Sequence, residues 1–171
     1  MTEKNENQAT QTEYATFGAG CFWQVEANFR EVEGVVDAVV GYEGGHVDSP
    51  TYEQVCSGTT GHVEVTQVEF DPAKVDYEDL VRKYFQIHDP TQLNRQGPDV
   101  GHQYRSVIFA HSDEQAESAR RVLEDEQGRF KQPIVTTIEE AKPFWRAEEY
   151  HQCYLEKQRS SPGILSTLLH R

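Results

Sequence analysis

The strongest constraint in this sequence is the run Gly18-Ala19-Gly20-Cys21, where a strand pattern must become a helix pattern within three residues. Residues 14–17 read as a short strand. From Cys21 the apolar period changes: Phe22, Val25, Phe29 and Val32 recur at i, i+3, i+7 and i+10, one helical face. The spacing predicts a helix over 21–32, with Gly34 as its stop. Residues 35–42 are rich in Val and read as a strand. A loop over 44–50 and a helical turn over 51–57 follow, then a strand over 62–70 that Asp71-Pro72 breaks. Leu80, Tyr84 and Ile87 share a stripe that predicts a second helix over 76–88, with Asp76 placed to cap it. The loop 89–101 is long enough to suggest a function of its own. Residues 104–110 read as a strand, 112–127 as a charged surface helix, 134–138 as a last short strand, and 143–157 as partly helical. The order is β-α-β-β-α-β with a further helix and strand appended. That is the split βαβ, ferredoxin-like pattern, an α+β two-layer sandwich. One catalytic domain, 14–158, is expected between a disordered N-terminal tail, 1–13, and a C-terminal tail, 159–171. The fold class alone names no function.

The chain's 171 residues suffice for one domain with a real core. Its formal net charge is −13, from 29 acidic and 16 basic residues, and its mean hydropathy is −0.74. Such a surface repels phosphate backbones and anionic membranes, so neither nucleic acid nor a membrane is an expected partner. No run approaches the roughly 20 apolar residues of a membrane span. The polar start, with Lys4 and several Glu, lacks the apolar region of a secretion signal. A cytoplasmic monomer is the expectation. The three cysteines, Cys21, Cys56 and Cys153, form no CxxC pair, and the His residues are scattered. A disulfide framework and structural zinc are therefore not expected, nor is a cofactor. That leaves thiol chemistry or plain burial.

Cys21 falls where a helix begins. Free N–H groups and the positive dipole end there favour a thiolate, so the expected thiol ionises readily. The same spacing also suits a small buried residue at a crowded turn. Trp23 lies about a quarter turn off the core stripe. It fits the wall of an apolar pocket, or packing beneath a loop. Glu64 sits between two valines in the 62–70 strand. Facing solvent it is an ordinary carboxylate; facing a pocket, desolvation would raise its pKa and make it a proton donor. Tyr52 and Tyr104 are phenols able to hydrogen-bond a substrate oxygen, or ordinary amphipathic tyrosines.

Gly-Cys-Phe-Trp, Gly-Tyr-x-Gly-Gly, Thr-Tyr-x-x-Val-Cys-Ser-Gly, Gly-His-x-Glu, His-Asp-Pro-Thr-Gln and Gln-Tyr-Arg-Ser occur in that order. Together they resemble the class A methionine sulfoxide reductases, from about Phe17 through Glu156. The resemblance implies that Cys21 attacks the sulfoxide sulfur and Glu64 protonates its oxygen. It makes Tyr52 and Tyr104 that oxygen's hydrogen-bond partners. Phe22 and Trp23 become the walls around the methyl group, and Asp99 a polar support of the site. It implies the S epimer of free and protein-bound methionine sulfoxide as substrate, a sulfenic acid on Cys21, closure to a disulfide, and reduction by a thioredoxin-type dithiol.

Two departures bear on that reading. Many relatives carry recycling cysteines in a Gly-rich C-terminal tail, and residues 160–171 contain none. Cys153, where Gln is more usual, is the expected resolving thiol. Cys56 is the alternative, although it reads as a structural residue in a packed turn, and direct reduction of Cys21 by an external thiol is the third option. Pro98 stands where Asn is usual before Asp99. The only methionine is Met1, which suits an enzyme of oxidised methionine and equally suits compositional drift.

Other classes of function remain open on the residues alone. A thiol peroxidase would also use Cys21 but would not need a carboxyl beside two tyrosines. A Cys–His hydrolase would pair Cys21 with His46, His62 or His102. An acidic binding module would leave Cys21 no faster to alkylate than a free thiol. The charge itself makes a prediction: self-repulsion should be screened by salt. If the acidity reflects adaptation to high salt, the thermal unfolding midpoint should rise between low and molar KCl, and a flat midpoint would contradict it.

Overall fold

The computed structural model describes residues 11–159. The expected tails lie outside them except for residues 11–13 and Arg159. The chain runs β1 (Glu13–Ala19), α1 (Phe22–Arg30), β2 (Val35–Glu43), α2 (Tyr52–Cys56), β3 (Val63–Phe70), α3 (Tyr77–Gln86), β4 (Arg95–Gln96), β5 (Asp99–Val100), β6 (Ser106–Ala110), α4 (Asp113–Gln127), β7 (Thr137–Glu140), β8 (Trp145–Arg146) and α5 (Tyr154–Arg159). Six strands form one sheet in the order β7-β6-β1-β3-β2-β8. Its centre, β6-β1-β3-β2, is the antiparallel arrangement of the split βαβ unit. The appended α4 returns the chain so that β7 pairs parallel to β6, and β8 adds antiparallel to β2. The α+β sandwich expected from the element order is the architecture observed.

Alternation along the strands sets the layers. Ala15, Phe17 and Ala19 of β1, Val68 and Phe70 of β3 and Ile108 of β6 face the helices. There they meet Val25 and Phe29 of α1, Leu80, Val81, Tyr84 and Phe85 of α3, and Ala119 and Val122 of α4. The Phe17 ring stacks on Phe29 at 4.9 Å and on Tyr84 at 5.0 Å. The opposite face carries Val63, Val65, Val107 and Phe109, partly covered by Ala141 and Phe144.

Helix starts follow their capping residues. Thr51 caps α2 and Asp76 caps α3, each in a capping box, and the Ser112 side chain accepts from the Gln115 N–H at the start of α4. Four segments differ from the pattern-based reading. Tyr104 does not begin a strand: it closes a 3-10 turn, His102–Tyr104, and β6 starts at Ser106. The loop 89–101 holds a small hairpin, β4 with β5. The strand expected at 134–138 is Thr137–Glu140 instead, and it is not the last. The N–H of Ile134 is taken by the Gln127 side chain and that of Val135 by the Pro90 carbonyl, so neither can join the ladder. The segment 143–157 becomes β8, a 3-10 turn over Glu149–His151 and the start of α5.

The β1–α1 junction is tight. Gly20 adopts φ +87°, and a Cβ there would stand 2.7 Å from the Cβ of Gln96. Gly20→Ala should therefore lower the free energy of unfolding by roughly 1–3 kcal/mol. Urea denaturation checks this, and an unshifted midpoint would refute the strain.

Candidate active site

The helix-facing side of one sheet end gathers nearly all the residues singled out above. Cys21 is the N-cap residue of α1, immediately after the Gly20 turn. Phe22 and Trp23 form the first turn of that helix. Glu64, second in β3, pairs across the sheet with Tyr42 of β2, so both project toward α1. The carboxyl is 2% exposed. Its Oε1 accepts from the Phe22 backbone N–H at 3.4 Å, and its Oε2 is buried with no partner among the described residues. Burial pushes the Glu64 carboxyl up to about 8; the Phe22 N–H opposes this and the charge of Asp99 adds to it.

Cys21 departs from the expectation that it ionises readily. Burial pushes its thiol up to about 11. The backbone N–H groups of Trp23 and Gln24 pull the other way, as a helix N-terminus should, while Glu64 and Asp99 push it further up. Loss of water outweighs the helix end, and the resting thiol keeps its proton.

The other candidates surround this pair. Tyr104 is pushed up to about 12, first by burial and then by Glu64, Cys56, Asp99 and Cys21, the acidic groups it faces. The Tyr52 phenol, also raised, is hydrogen-bonded to the Cys56 side chain. Phe22 packs on Tyr42, with ring centroids 5.9 Å apart. Trp23 stacks on Tyr154 at 3.9 Å and 15°. A groove of about 470 Å³ opens beside Cys21, with Trp23, Gln96 and Asp99 among its walls. Asp99 sits there on β5, one residue after Pro98.

The three cysteines are free; Cys56 borders the site, bonded to the Tyr52 side chain and within reach of the Glu64 charge, whereas Cys153 lies elsewhere. The Cys153 N–H donates to Glu26 Oε2 at 3.1 Å, and its thiol feels the charges of Glu26 and Arg30. Those residues lie further along α1, away from its Cys21 end, so Cys153 does not stand at Cys21. Its backbone is left-handed, φ 53°. Cys56 is exposed, not packed as its turn suggested. Two of the three histidines of the hydrolase reading make other hydrogen bonds. His62 is buried; its Nδ1 accepts from the Gly45 N–H and its Nε2 bonds the Val47 carbonyl. His102 accepts from Arg105.

Tyr42, Glu148 and His151 were not identified from the pattern. Glu148 accepts from the Tyr42 hydroxyl at 2.9 Å and from the Tyr52 N–H at 3.0 Å. The Tyr52 ring lies 4.4 Å from that of His151. In the sequence Glu148 and His151 belong to a polar run, Glu148-Glu-Tyr-His151, that looks like a surface helix. Among the described residues no cluster of three His, Cys, Asp or Glu could hold a metal ion, and no helix is long and apolar enough to cross a membrane.

The family model described as peptide methionine sulfoxide reductase matches residues 13–167. A protein of Methanothermobacter thermautotrophicus named peptide methionine sulfoxide reductase MsrA is 65% identical over 160 residues, 92% of this chain and 94% of that one. Among solved structures, reduced Mxr1 of Saccharomyces cerevisiae superposes with a TM-score of 0.85 at 38% identity, covering 94% of this chain and 93% of that chain. Mxr1 in complex with Trx2 matches with a TM-score of 0.63 at 28% identity, over 90% and 92% of the two chains.

The buried carboxyl has a consequence for stability. Its folded pKa, about 8, stands above the ordinary 4.5, so folding favours the protonated form. That contribution is fully present below pH 4.5 and is lost as pH rises through about 8. Glu43, buried and raised to about 7, acts in the same direction. His88, pushed down to about 4, opposes both carboxyls below about pH 6.5, where the unfolded imidazole takes up a proton, so the fall in stability should show between pH 6.5 and 8.5. Glu64→Gln should recover on the order of 2 kcal/mol at the upper end. Chemical denaturation across pH checks it, and equal slopes for mutant and wild type would contradict the assignment.

Proposed function

Given that the chain belongs to the peptide methionine sulfoxide reductase family, we propose that it reduces the S epimer of methionine sulfoxide, free and in proteins, with Cys21 as nucleophile and Glu64 as acid. The observation that carries this reading is the buried Glu64 carboxyl, 2% exposed and bonded to the Phe22 N–H next to Cys21, whose burial raises its pKa to about 8. A sulfoxide sulfur is a poor electrophile until its oxygen gains a proton, so the reaction needs an acid that is still protonated near neutral pH. Burial supplies one.

On this reading Phe22 and Trp23 enclose the methyl group. Glu64 gives its proton to the sulfoxide oxygen while Tyr104 and Tyr52 hydrogen-bond it as charge develops. The Cys21 sulfur attacks, and its proton passes to the Glu64 carboxylate. The S–O bond of the substrate breaks as oxygen is transferred to the Cys21 sulfur. A sulfide leaves, Cys21 becomes a sulfenic acid, and Glu64 regains its starting state. Asp99 holds the hairpin side of the pocket and keeps the thiol protonated until substrate arrives. The catalytic unit is residues 14–158, acting as a monomer in the cytoplasm.

Recycling needs a second thiol. We assign it to Cys153, which condenses with the sulfenic acid and releases water. Two features support this over Cys56. The helix that follows Cys153, α5, buries no residue, and its Tyr154 stacks on Trp23 beside the Cys21 end of α1, so a local shift of this segment would bring Cys153 toward Cys21. Cys56 is tied to a helix fixed by a capping box and the buried Val55. A thioredoxin-type dithiol then reduces the disulfide; the complex of Mxr1 with Trx2 supports that partner.

The test is turnover of the separate epimers with dithiothreitol, for wild type and Cys21→Ser. The S epimer alone should be reduced, and the mutation should lower the rate about a thousandfold or more. The rate of the oxygen-transfer step should fall as pH rises through about 8, where Glu64 loses its proton. Peptide mapping after one equivalent of substrate should find Cys21 joined to Cys153. Reduction of neither epimer by folded wild type would refute the activity. Consumption of peroxide alone would favour a thiol peroxidase, and a Cys21–Cys56 bond would overturn the recycling assignment.

A further inference from the structure

Three aromatic side chains of the pocket meet on one residue that the catalytic reading does not use. His151 is 1% exposed, and its ring lies 5.4 Å from Phe22, 5.6 Å from Trp23 and 4.4 Å from Tyr52, centroid to centroid. The Trp23 indole N–H donates to His151 Nδ1 at 3.1 Å. An indole nitrogen can only donate, so Nδ1 accepts and the ring proton lies on Nε2. That Nε2 is buried with no partner among the described residues. A buried donor left unpaired is costly, so the ring is a poor choice for stability alone.

The ring is also held firmly from behind. The next residue, Gln152, is buried, and its side chain bonds β2 on both sides: Oε1 accepts from the Val40 N–H at 3.0 Å, and Nε2 donates to the Val40 carbonyl at 2.8 Å. A third bond, at 3.0 Å, runs from Nε2 to the Ala147 carbonyl. An indole on the first turn of a helix has several rotamers open to it. The fixed acceptor selects the one that stacks on Tyr154 and presents the indole to the groove beside Cys21.

We propose that His151 is a positioning residue: its Nδ1 fixes the Trp23 indole, and its ring fixes the Tyr52 face, so that the pocket for the substrate's methyl group is formed before substrate arrives. This rests on the reading of the site as a sulfoxide pocket. Burial lowers the imidazole's affinity for a proton, opposed by the charge of Glu148, and so preserves the neutral acceptor form. The role is preorganisation, and its loss should weaken binding more than chemistry.

The test compares His151→Leu, which removes the acceptor, with His151→Asn, whose side-chain oxygen can stand where Nδ1 does. In ¹⁵N-labelled protein the indole N–H resonance of Trp23, distinguished from Trp145 by a Trp145→Phe control, reports the bond directly. In His151→Leu that resonance should move to the position of an unbonded indole. In single-turnover reduction of the S epimer, the substrate concentration giving half the maximal rate should rise about fivefold or more, while the maximal rate stays within about twofold. His151→Asn should restore both readouts. An indole resonance that does not move in His151→Leu would overturn the proposal. So would a moved resonance with unchanged half-saturation, or a loss confined to the maximal rate. If wild type reduces neither epimer, the reading of the activity fails instead, and the indole resonance alone decides whether His151 holds Trp23.

Discussion

The passage of the chain from β1 into α1 is the joint on which the site depends, and one buried hydroxyl secures it. The Tyr84 hydroxyl donates to the Gly18 carbonyl at 2.8 Å and shares the Ser106 hydroxyl, at 2.7 Å, with His88 and Thr136. The last strand residues of β1, the first of β6, the C-terminal half of α3 and the segment before β7 are tied together within this network. His88 is pushed down to about 4 by burial, so it stays neutral and the network carries no charge. A side chain at position 18 would stand 2.8 Å from Val107 and 3.0 Å from Val63, so only glycine lets the strands close beneath the turn. With Gly18 fixed from below and Gly20 turned to positive φ, α1 begins over β3. Its first free N–H meets the Glu64 carboxyl.

That placement decides the electrostatics. A helix N-terminus beside a thiol ordinarily argues for a thiolate. Here the same turn buries the thiol beside two carboxyl groups, and desolvation becomes the largest effect on both Cys21 and Glu64. Two negative charges in one dry pocket would repel strongly, so the resting site carries protons on both. A lowered thiol pKa would suit a site that meets its electrophile ready-made. A sulfoxide must first be activated, and the group that activates it is an acid. On the proposed roles, burial is unfavourable for Cys21 as nucleophile and favourable for Glu64 as acid.

What could be read in the sequence was what neighbouring residues decide. The capping residues Thr51, Asp76 and Ser112 start their helices where the pattern puts them, because a cap is satisfied within one turn. The failures share a cause. Residues 134 and 135 look like a strand, yet their N–H groups bond to Gln127 and Pro90, contacts that no local pattern encodes. Glu64 was ambiguous for a geometric reason. In Val63-Glu-Val-Thr66 the period of two says only that valines and polar residues face opposite ways. A strand exposed on one face would send Glu64 to solvent. Since both faces of β3 are covered at this end, Val63 and Val65 fill one layer and Glu64 enters the other. Glu148 and His151 were hidden similarly: their run is polar, but its polar atoms are spent inward on Tyr42, Tyr52 and Trp23.

The firmness of the structure is unevenly spread around Cys21, and the two halves of the proposed cycle have opposite needs. Oxygen transfer needs an acid, a sulfur and apolar walls held within a fraction of an ångström. These stand on the central strands, on the first turn of α1 and on a segment that Gln152 fastens to β2. Disulfide closure needs a thiol able to leave its resting place. Cys153 follows directly on Gln152, at the last firmly held point, and begins a helix with no buried residue. One carboxylate, Glu26, accepts its N–H while pairing with Arg30 at 3.5 Å. A single hydrogen bond of this kind is worth about 1–3 kcal/mol, enough to fix a resting position and too little to prevent departure. On the proposed assignment, the boundary between Gln152 and Cys153 thus separates a segment fastened to β2 from the thiol that would travel to the pocket.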